Sequence, residues 1–515
     1  MQTDTLAHVP NVEPPAPLGR GRAVAVALLA LAAALAAGHL VAGFVGPTGS
    51  PYVAVGNWVR DLSPHPVTEW AKATFGTSDK TVLFIGVTLV VLGCAVAAGL
   101  LSRRKVLPGQ LVAGALGGIG FVAVLTRPDL GQLGFLAPAA SLLVGVFGFA
   151  WLHRRALATN SRTTEDRRQF LRVAAGVVVG AGVAGLGGGL LASRVDVERS
   201  RRQVGRLRVA EPAPPLPANA DFPGTSGFIT SNRDFYRIDT ALTVPRMTAE
   251  NWTLRVRGMV DRELELSYED IRGRGLIERP ITMACVSNEV GGSLVSTANF
   301  IGVPLRDILE EAGVRRGADQ LLSTSVDGFT AGSPVADVLD PDRGALLALG
   351  MNGEPLPQEH GFPARLVVPG LYGYVSATKW LTTLELTTFA AEEGYWIPRG
   401  WSARGPVKTQ SRIDSPRDGD ATGTRLTVAG VAWAPYVGID KVEVSADGRW
   451  HTAELGAEVD LNTWRMWRVR LELPAGDHEL AVRATDRTGE TQTDRYTPTA
   501  PNGATGWHSI SISTK

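Results

Sequence analysis

One cysteine in the second half of the chain carries the strongest chemical signal. Cys285 stands in the run Ile281-Thr-Met-Ala-Cys-Val-Ser-Asn-Glu-Val-Gly-Gly292, whereas the other cysteine, Cys94, lies in a long apolar stretch. A lone thiol in this setting suits a soft-metal ligand, a hydrolase nucleophile assisted by His360, or an inert buried side chain. Zinc is disfavoured, because no second cysteine and no histidine pair stand at ligand spacing.

The segments around this cysteine predict a mixed fold that would hold it in place. Alternating apolar residues predict a strand at 252–257, and helical spacing after Pro304 predicts a helix over 305–312. The run at 365–369 has the composition of a buried strand. Beyond about residue 405 the chain contains only short alternating strands, which predicts an immunoglobulin-like β-sandwich over 405–515.

The first 193 residues predict an all-α membrane anchor. Five apolar runs there are long enough to cross about 30 Å of hydrocarbon. The predicted transmembrane helices lie at about 23–45, 81–101, 106–126, 133–152 and 170–192. With the N-terminus inside, ten basic residues fall in cytoplasmic segments and four in the opposite loops. The positive-inside rule therefore predicts a multi-pass protein of the cell membrane, in contact with lipid, whose later residues are extracytoplasmic.

Charge divides the chain into a basic front part and an acidic rear part. Residues 1–204 hold 19 Lys and Arg against 10 Asp and Glu, whereas the remainder holds 32 against 40. The large soluble part thus lacks the basic excess that nucleic-acid binding requires, and no nucleic-acid partner is expected. Residues 194–219 predict a linker, which is highly charged over 194–208 and proline-rich, and therefore extended, over 211–217.

A pair of arginines precedes the fifth apolar run. Arg167 and Arg168 are followed by Gln-Phe-Leu, and this pattern resembles the twin-arginine export signal. Such signals direct proteins that are exported already folded. Folded export is useful mainly when a cofactor must be installed in the cytoplasm, so the motif favours a cofactor-containing domain after the fifth run.

Four blocks of residues in the second half resemble the sulfite oxidase family of molybdenum enzymes. In order, they are Thr230–Arg237; Met283–Asn288 with Phe300–Leu305; Met351–Leu356 with His360–Gly370 and Thr378–Leu381; and Gly430–Ala434 with Val442–Gly448 and Gly506-Trp507. The resemblance covers about residues 220–512. It implies an α+β molybdopterin domain at 220–404, followed by the immunoglobulin-like domain, which some members use to form homodimers.

The resemblance also implies roles for individual residues. Cys285 would be the protein ligand of molybdenum, and Asn288 and Tyr374 would be further catalytic residues. Contacts with the pterin or its phosphate are implied for Asn232, Tyr236, Arg237, Ser325, His360, Arg365 and Lys379. Cationic side chains suit such a group, because guanidinium and ammonium donors bind phosphate oxygens strongly.

One departure from the family pattern concerns the substrate. Sulfite oxidases follow the ligand cysteine with Ala-Gly-Asn-Arg-Arg, whose arginine helps to bind sulfite, whereas Cys285 is followed by Val-Ser-Asn-Glu-Val. Glu289 thus stands in place of a positive charge, and a carboxylate opposes the binding of an anion. We therefore expect two-electron oxygen-atom transfer on a small substrate other than sulfite, for example a sulfoxide.

The electron partner is not specified by a motif. The sequence contains no haem-binding Cys-x-x-Cys-His, and His39 and His153 fall toward opposite faces of the predicted membrane region. We therefore expect a separate electron-transfer partner or a quinone. Two alternatives to an oxidoreductase stay open at this point: an anchored binding protein with an inactive enzyme-like scaffold, and a Cys/His hydrolase.

Overall fold

The computed structural model divides the chain into two compact units, Met1–Arg194 and Val195–Lys515. It describes residues 16–64, 67, 70–71, 74–75, 78–127, 130, 133–158, 164–192 and 195–515. The basic loop residues Lys72 and Arg162, and the side chain of Arg167, lie outside the described residues.

The first unit is helical over its described residues. Its helices are α1 (Arg20–Val45), α2 (Pro51–Leu62), α3 (Asp79–Leu101), α4 (Leu107–Leu125), α5 (Leu136–Ala158) and α6 (Thr164–Ala192), with a 3₁₀ turn at Pro47–Gly49. All but α2 are long and apolar enough to cross a membrane, and each overlaps one of the five predicted runs. Small residues let these helices approach closely: a Cβ at Gly99 would lie 2.6 Å from the carbonyl oxygen of Ala23.

The second unit is mixed. Its helices are α7 (Val197–Val204), α8 (Tyr268–Arg272), α9 (Leu305–Ala312), α10 (Val335–Leu339) and α11 (Gly373–Ser376), with 3₁₀ turns at Ala249–Asn251, Gln358–His360 and Ile397–Arg399. The strands of its first part are β1 (Val209–Glu211), β2 (Thr253–Gly258), β3 (Leu264–Ser267), β4 (Leu276–Ala284), β5 (Val295–Pro304), β6 (Gln320–Ser325), β7 (Thr330–Pro334), β8 (Leu346–Met351), β9 (Glu354–Pro355), β10 (Arg365–Val367) and β11 (Leu381–Thr387).

These strands form two sheets, with orders β1-β4-β5-β8-β10 and β3-β2-β11-β6-β7, and β9 pairs with β8. Most pairs are antiparallel, but β1 runs parallel to β4 and β11 parallel to β2. The predicted elements are present as β2, α9 and β10. In α9, the apolar residues at helical spacing, Leu305, Ile308, Leu309 and Ala312, are all buried. The α+β class predicted for this part is confirmed.

The last part consists of strands that form two further sheets. The strands are β12 (Gln410–Ser415), β13 (Ala421–Thr422), β14 (Arg425–Trp433), β15 (Ile439–Ala446), β16 (Arg449–Thr452), β17 (Glu454–Leu455), β18 (Arg465–Glu472), β19 (Gly476–Asp486) and β20 (His508–Thr514). Their orders are β12-β14-β18-β17 and β13-β20-β19-β15-β16. Alternate residues of both sheets, among them Val428, Val444, Trp467 and Val482, share one apolar core. The assignment to the immunoglobulin-like class stays a prediction.

The two parts of the second unit are joined by buried contacts. Trp433 and Trp464 belong to the same apolar cluster as the residues of the α+β part. The Trp464 indole donates to the carbonyl oxygen of Phe228 at 2.9 Å, and its backbone N–H donates to Thr282 Oγ1 at 2.6 Å. The boundary predicted near residue 404 is therefore crossed by a continuous core.

The prediction of a linker over 194–219 is wrong for most of its length. Val197 and Val204 of α7 and Leu207 are buried in the core of the second unit, and β1 pairs with β4. The charged residues lie between apolar positions that share one side of the segment, so the segment docks while its charges stay outside. The proline-rich run 212–217 forms no helix or strand.

Candidate active site

Cys285 is the first residue after β4, where the chain leaves the first sheet. The residue is 9% exposed. Its backbone N–H donates to the carbonyl oxygen of Leu294 at 2.9 Å, and its carbonyl accepts the N–H of Asn288 at 3.0 Å. These bonds close a turn over residues 285–294, so the thiol has a fixed position at the end of a central strand.

Asn288 holds this turn together. Its side-chain oxygen accepts the backbone N–H of Leu294 at 2.8 Å, and the residue is 5% exposed. Gly292 packs so closely that a Cβ there would lie 2.6 Å from the same oxygen. The structure therefore gives Asn288 a positioning role, and its predicted catalytic role is not supported by a contact of its own.

The C-terminal strands also support the turn. Arg412 of β12 donates from Nη1 to the carbonyl oxygen of Gly292 at 2.8 Å and from Nη2 to Ser226 Oγ at 2.9 Å, while Asp414 accepts from its Nε. A Cβ at Gly291 would lie 2.2 Å from the ring of His508. Sequence reasoning missed Arg412, because Gly292 and Ser226 lie more than 100 residues away along the chain and no local pattern marks these contacts.

Two tyrosines lie close enough to Cys285 for its charge to raise their pKa values. Burial raises the pKa of Tyr236, the charge of Cys285 raises it further, and Arg365 opposes this shift. A Cβ placed on Gly373 would lie 3.6 Å from the Tyr236 hydroxyl and 3.9 Å from the carbonyl oxygen of Ala284. The Tyr236 hydroxyl therefore lies at the end of β4, where the absence of a side chain at residue 373 leaves space.

The second of these tyrosines is Tyr372, which sequence reasoning missed. Burial raises the pKa of Tyr372 to about 12; the Lys408 N–H hydrogen bond opposes this shift, and Cys285 adds to it. The predicted residue, Tyr374, instead donates its hydroxyl to the carbonyl oxygen of Ser402 at 2.6 Å. The Tyr-Gly-Tyr sequence contains no signal that distinguishes the two, because the chain direction at the start of α11 decides which ring faces the cysteine.

Arg365 is a buried cation without a carboxylate partner. It is 4% exposed, and its guanidinium donates to the carbonyl oxygens of His360 at 3.2 Å and Ala377 at 3.5 Å. Its Nε has no hydrogen-bond partner among the described residues. Burial lowers the pKa of Arg365 to about 10, and only Tyr236 opposes this shift. An anion beside Arg365 would satisfy both the charge and the free N–H.

Lys379 and Arg237 extend this cationic group. Lys379 Nζ donates to Asp239 Oδ2 at 2.9 Å and to the carbonyl oxygen of Glu359 at 3.1 Å, while Arg237 Nε lies 3.2 Å from the same carboxylate oxygen. Burial lowers the pKa of Lys379 to about 8; Asp239 opposes this shift, whereas Arg365 and Arg237 add to it. The neighbouring positive charges are thus only partly balanced.

His360 is neutral in this setting. Burial lowers its pKa to about 4, the charge of Arg365 lowers it further, and the hydrogen bond to the carbonyl oxygen of Asn232 opposes the shift. His360 Nε2 lies 2.8 Å from that oxygen, which requires the proton on Nε2 and leaves Nδ1 as an acceptor. The Asn232 side chain is directed elsewhere, because its amide nitrogen donates to Glu354 at 2.6 Å. Asn232 therefore orients the histidine through its backbone carbonyl and not through its side chain.

Ser325 ends β6 with a buried hydroxyl that has no partner. The residue is 3% exposed, and no described residue hydrogen-bonds its Oγ. Across the sheet it pairs with Leu381, two residues after Lys379. The predicted residues on this side therefore present a free hydroxyl, a free guanidinium N–H and several cations. Among the described residues no group of three or more His, Cys, Asp or Glu side chains could hold a metal.

Comparison with known proteins identifies the class of this site. The family model of the oxidoreductase molybdopterin binding domain matches residues 241–396, so the fold and the site define a molybdopterin-binding oxidoreductase. Mitochondrial sulfite oxidase of Macaca fascicularis is 30% identical over 342 residues, which cover 55% of this chain and 61% of the relative. The uncharacterized oxidoreductase YuiH of Bacillus subtilis is 38% identical over 154 residues, which cover 30% of this chain and 74% of the relative.

The chain belongs to the sulfite oxidase family of molybdopterin-dependent oxidoreductases. It spans about 61% of the length of the mammalian sulfite oxidases that it matches. Among solved structures, the sulfane dehydrogenase SoxCD of Paracoccus pantotrophus has a TM-score of 0.49 and 23% identity, and the match covers 56% of this chain and 84% of that chain. The predictions of an oxidoreductase and of a molybdenum–molybdopterin cofactor are confirmed.

The residues present fit this cofactor. A phosphate-bearing pterin is anionic, and the site has buried cations in excess of carboxylates, with Arg365 Nε and Ser325 Oγ lacking partners. The only sulfur in the second unit besides those of methionine is Cys285, a soft donor of the kind that molybdenum accepts.

Proposed function

We propose that this protein is a membrane-anchored, extracytoplasmic molybdenum oxidoreductase that acts on a small neutral or cationic substrate, for example a sulfoxide, rather than on sulfite. The observation that carries the proposal is the buried Arg365, which has no carboxylate partner among the described residues, in the same site as Cys285. When bound, the molybdenum–molybdopterin group supplies two-electron oxygen-atom transfer.

The protein residues bind and orient this group. Cys285 would ligate the metal through sulfur, and its fixed turn holds the sulfur in one place. Arg365 and Lys379 would neutralise the anionic cofactor, and Ser325 Oγ and Arg365 Nε would donate hydrogen bonds to it. Arg237 would add charge at the solvent side, since its side chain is 46% exposed.

The neutral polar groups would control protons near Cys285. Because burial and the nearby cysteine raise the pKa of Tyr236, its hydroxyl stays protonated at neutral pH and serves as a hydrogen-bond donor. His360 stays neutral and offers Nδ1 as an acceptor, because its proton is held on Nε2 by Asn232. Neither group adds a negative charge to a site that must hold an anion.

Glu289 supports the proposal for the substrate. It belongs to the turn that follows Cys285, its side chain is exposed, and it forms no ion pair among the described residues. An unpaired carboxylate near the metal ligand disfavours an anionic substrate such as sulfite and tolerates a neutral one.

The first unit supports the proposal for location. Five helices have the length and composition of membrane spans, and the predicted topology places the second unit outside the cytoplasm. Lipid would contact these helices, and a separate electron-transfer protein or a quinone would exchange electrons with the enzyme. The C-terminal sheets, as an immunoglobulin-like domain, would provide a surface for homodimer formation.

Elemental analysis of the full chain tests the cofactor assignment. Wild-type protein should contain about one molybdenum per chain, and Cys285→Ser should lower turnover at least about 100-fold, beyond the loss typical for residues that only orient a ligand. Cys94→Ser, in a predicted span, is the matched control and should behave as wild type. Equal activity of Cys285→Ser and wild type would contradict the proposed ligand.

Steady-state assays test the substrate. We expect turnover of a small sulfoxide with an artificial electron donor, and little oxidation of sulfite with an artificial acceptor. Glu289→Arg should improve sulfite binding, because it restores a positive charge at this position. Rapid sulfite oxidation by the wild-type protein with an ordinary Michaelis constant would show that the substrate proposal is wrong.

A further inference from the structure

The helices of the first unit border a cavity of about 120 Å³. Its walls come from α1 through α5 and contain many small residues, such as Ala34 of α1, Ala98 of α3 and Ala113 of α4. A cavity of about 150 Å³ is enough to bind benzene, so a volume of this order accommodates a single small ring. The cavity lies within the unit that carries the five apolar helices, so a ligand would reach it from the lipid phase.

The lining of this cavity selects against charged ligands. None of the described residues that line it carries a charged side chain. A carboxylate or a phosphate placed there would lose its hydration without gaining a counter-charge, which costs far more than a hydrogen bond returns. Fatty acids and phospholipids are thereby disfavoured as occupants, and a neutral lipid is favoured.

One end of the cavity contains a hydroxyl group without a partner. Ser141 lines the cavity and is 7% exposed, and its Oγ forms no hydrogen bond with a described residue. A Cβ at Gly38 would lie 3.0 Å from the Cβ of Ser141 and 3.2 Å from Pro51. Ser141 therefore lies beside the start of α2, with a donor available to a ligand.

An aromatic pair, Tyr52 and Phe84, lies at the same end of the cavity as Ser141. Tyr52 lines the cavity, and its ring stacks on Phe84 with a centroid distance of 5.3 Å. The Tyr52 hydroxyl donates to the carbonyl oxygen of Phe84 at 3.1 Å and lies 2.7 Å from Thr88 Oγ1. This end thus combines the flat aromatic surface of Tyr52 with the hydroxyl donor of Ser141. The combination suits a planar ring that bears a carbonyl oxygen.

The opposite end offers no accessible donor. Ser102 Oγ and His153 Nδ1 also lack partners, but both atoms are fully enclosed by protein. A Cβ at Gly109 would lie 2.0 Å from the ring of Phe149, so the wall is tight there. A ligand ring is therefore better placed beside Ser141.

We propose that this cavity binds an isoprenoid quinone, with its tail along the small residues and a ring carbonyl accepting a hydrogen bond from Ser141 Oγ. The choice of a quinone among neutral lipids rests on the proposed function, because an oxidoreductase exchanges electrons with a partner and a quinone is a neutral lipid that carries electrons. The proposal concerns binding and includes no electron-transfer step.

Photolabelling of the full-length protein in detergent with an azido-substituted short-chain quinone tests this site. Labelled peptides should come from α2 and α5 at the Ser141 end. Ala113→Phe places a ring in the space that the ligand would occupy. It should reduce labelling at least about tenfold, which corresponds to a loss of about 1.4 kcal/mol of binding free energy. Ser141→Ala should weaken binding by about threefold to tenfold, as expected for one hydrogen bond.

The matched control is Ala115→Phe, which makes the same change on the exposed face of the same helix and should label as wild type. Equal labelling of the Ala113 and Ala115 variants, or label confined to exposed positions, would overturn the proposal. Molybdenum content and turnover with a water-soluble dye are measured on the same samples. A protein that lacks molybdenum but labels as expected would contradict the proposed function and not the quinone site.

Discussion

Arg365 links the stability of the protein to its cofactor. A buried guanidinium without a carboxylate is unfavourable in the cofactor-free protein and favourable once an anion binds. Arg365→Met should therefore raise the free energy of unfolding of cofactor-free protein by about 1–4 kcal/mol. The same substitution should reduce the amount of bound cofactor about 10–100-fold. Thermal unfolding and molybdenum analysis measure the two effects.

Arg343 provides the control for this pair of opposite effects. It is also buried, at 8% exposure, but it donates to Asp337 at 3.0 Å and to the carbonyl oxygen of Pro369 at 2.8 Å. Arg343→Met should lower the free energy of unfolding by about 2 kcal/mol, since it leaves buried acceptors unpaired. A destabilised Arg365→Met protein with normal cofactor content would contradict the assigned role.

His360 makes the stability of the cofactor-free protein depend on pH. Its folded-state pKa of about 4 lies below the usual 6.5, so the unfolded state binds a proton that the folded state excludes. The contribution is fully present above pH 6.5 and is lost as the pH falls toward 4, with a slope of up to about 1.4 kcal/mol per pH unit. Melting temperatures between pH 4 and 7 measure it.

A histidine variant separates this effect from others. Burial also lowers the pKa of His508, which acts in the same direction. The informative quantity is therefore the difference in melting temperature between wild type and His360→Gln at each pH. The melting temperature of the variant should fall less steeply as the pH is lowered. Identical pH profiles would mean that His360 is not buried in its neutral form.

At the scale of elements, the turn after β4 decides where Cys285 lies. Asn288→Ala removes the acceptor for the Leu294 N–H and should lower the free energy of unfolding by about 1–3 kcal/mol. Asn288→Asp keeps an acceptor oxygen and should recover most of the stability and the turnover. Urea unfolding and steady-state rates check both variants. A stable but inactive Asn288→Asp would instead favour a direct catalytic role for the amide group.

Most elements of the α+β part were predictable because their signals are local. Residues 305–312 have apolar side chains at helical spacing, and 252–257 alternates, so burial on one face dictates each structure. The segment at 194–219 was mispredicted, since its few buried apolar residues are outnumbered by charges. Only the packing partners in the core reveal that α7 is docked.

At the scale of the whole molecule, export of the second unit should depend on the paired arginines. Arg167→Lys together with Arg168→Lys keeps the charge but removes the twin-arginine pattern, so the second unit should stay on the cytoplasmic side. Protease accessibility in spheroplasts measures this. Arg154→Lys with Arg155→Lys is the matched control in the preceding segment, which is also predicted to be cytoplasmic, and should leave export unchanged. Normal export of the first double variant would refute the signal.

The sequence alone determined the five apolar helices, the strand-rich second half and the family, because hydrophobic runs, periodicity and short motifs are local properties. It also placed Cys285, Arg365 and Lys379 in the motifs that define the site. Only the tertiary structure decided which tyrosines sense the cysteine, that Asn288 closes a turn, and that Arg412 supports it from 120 residues away. These features depend on burial and on contacts between distant segments, which no local pattern encodes.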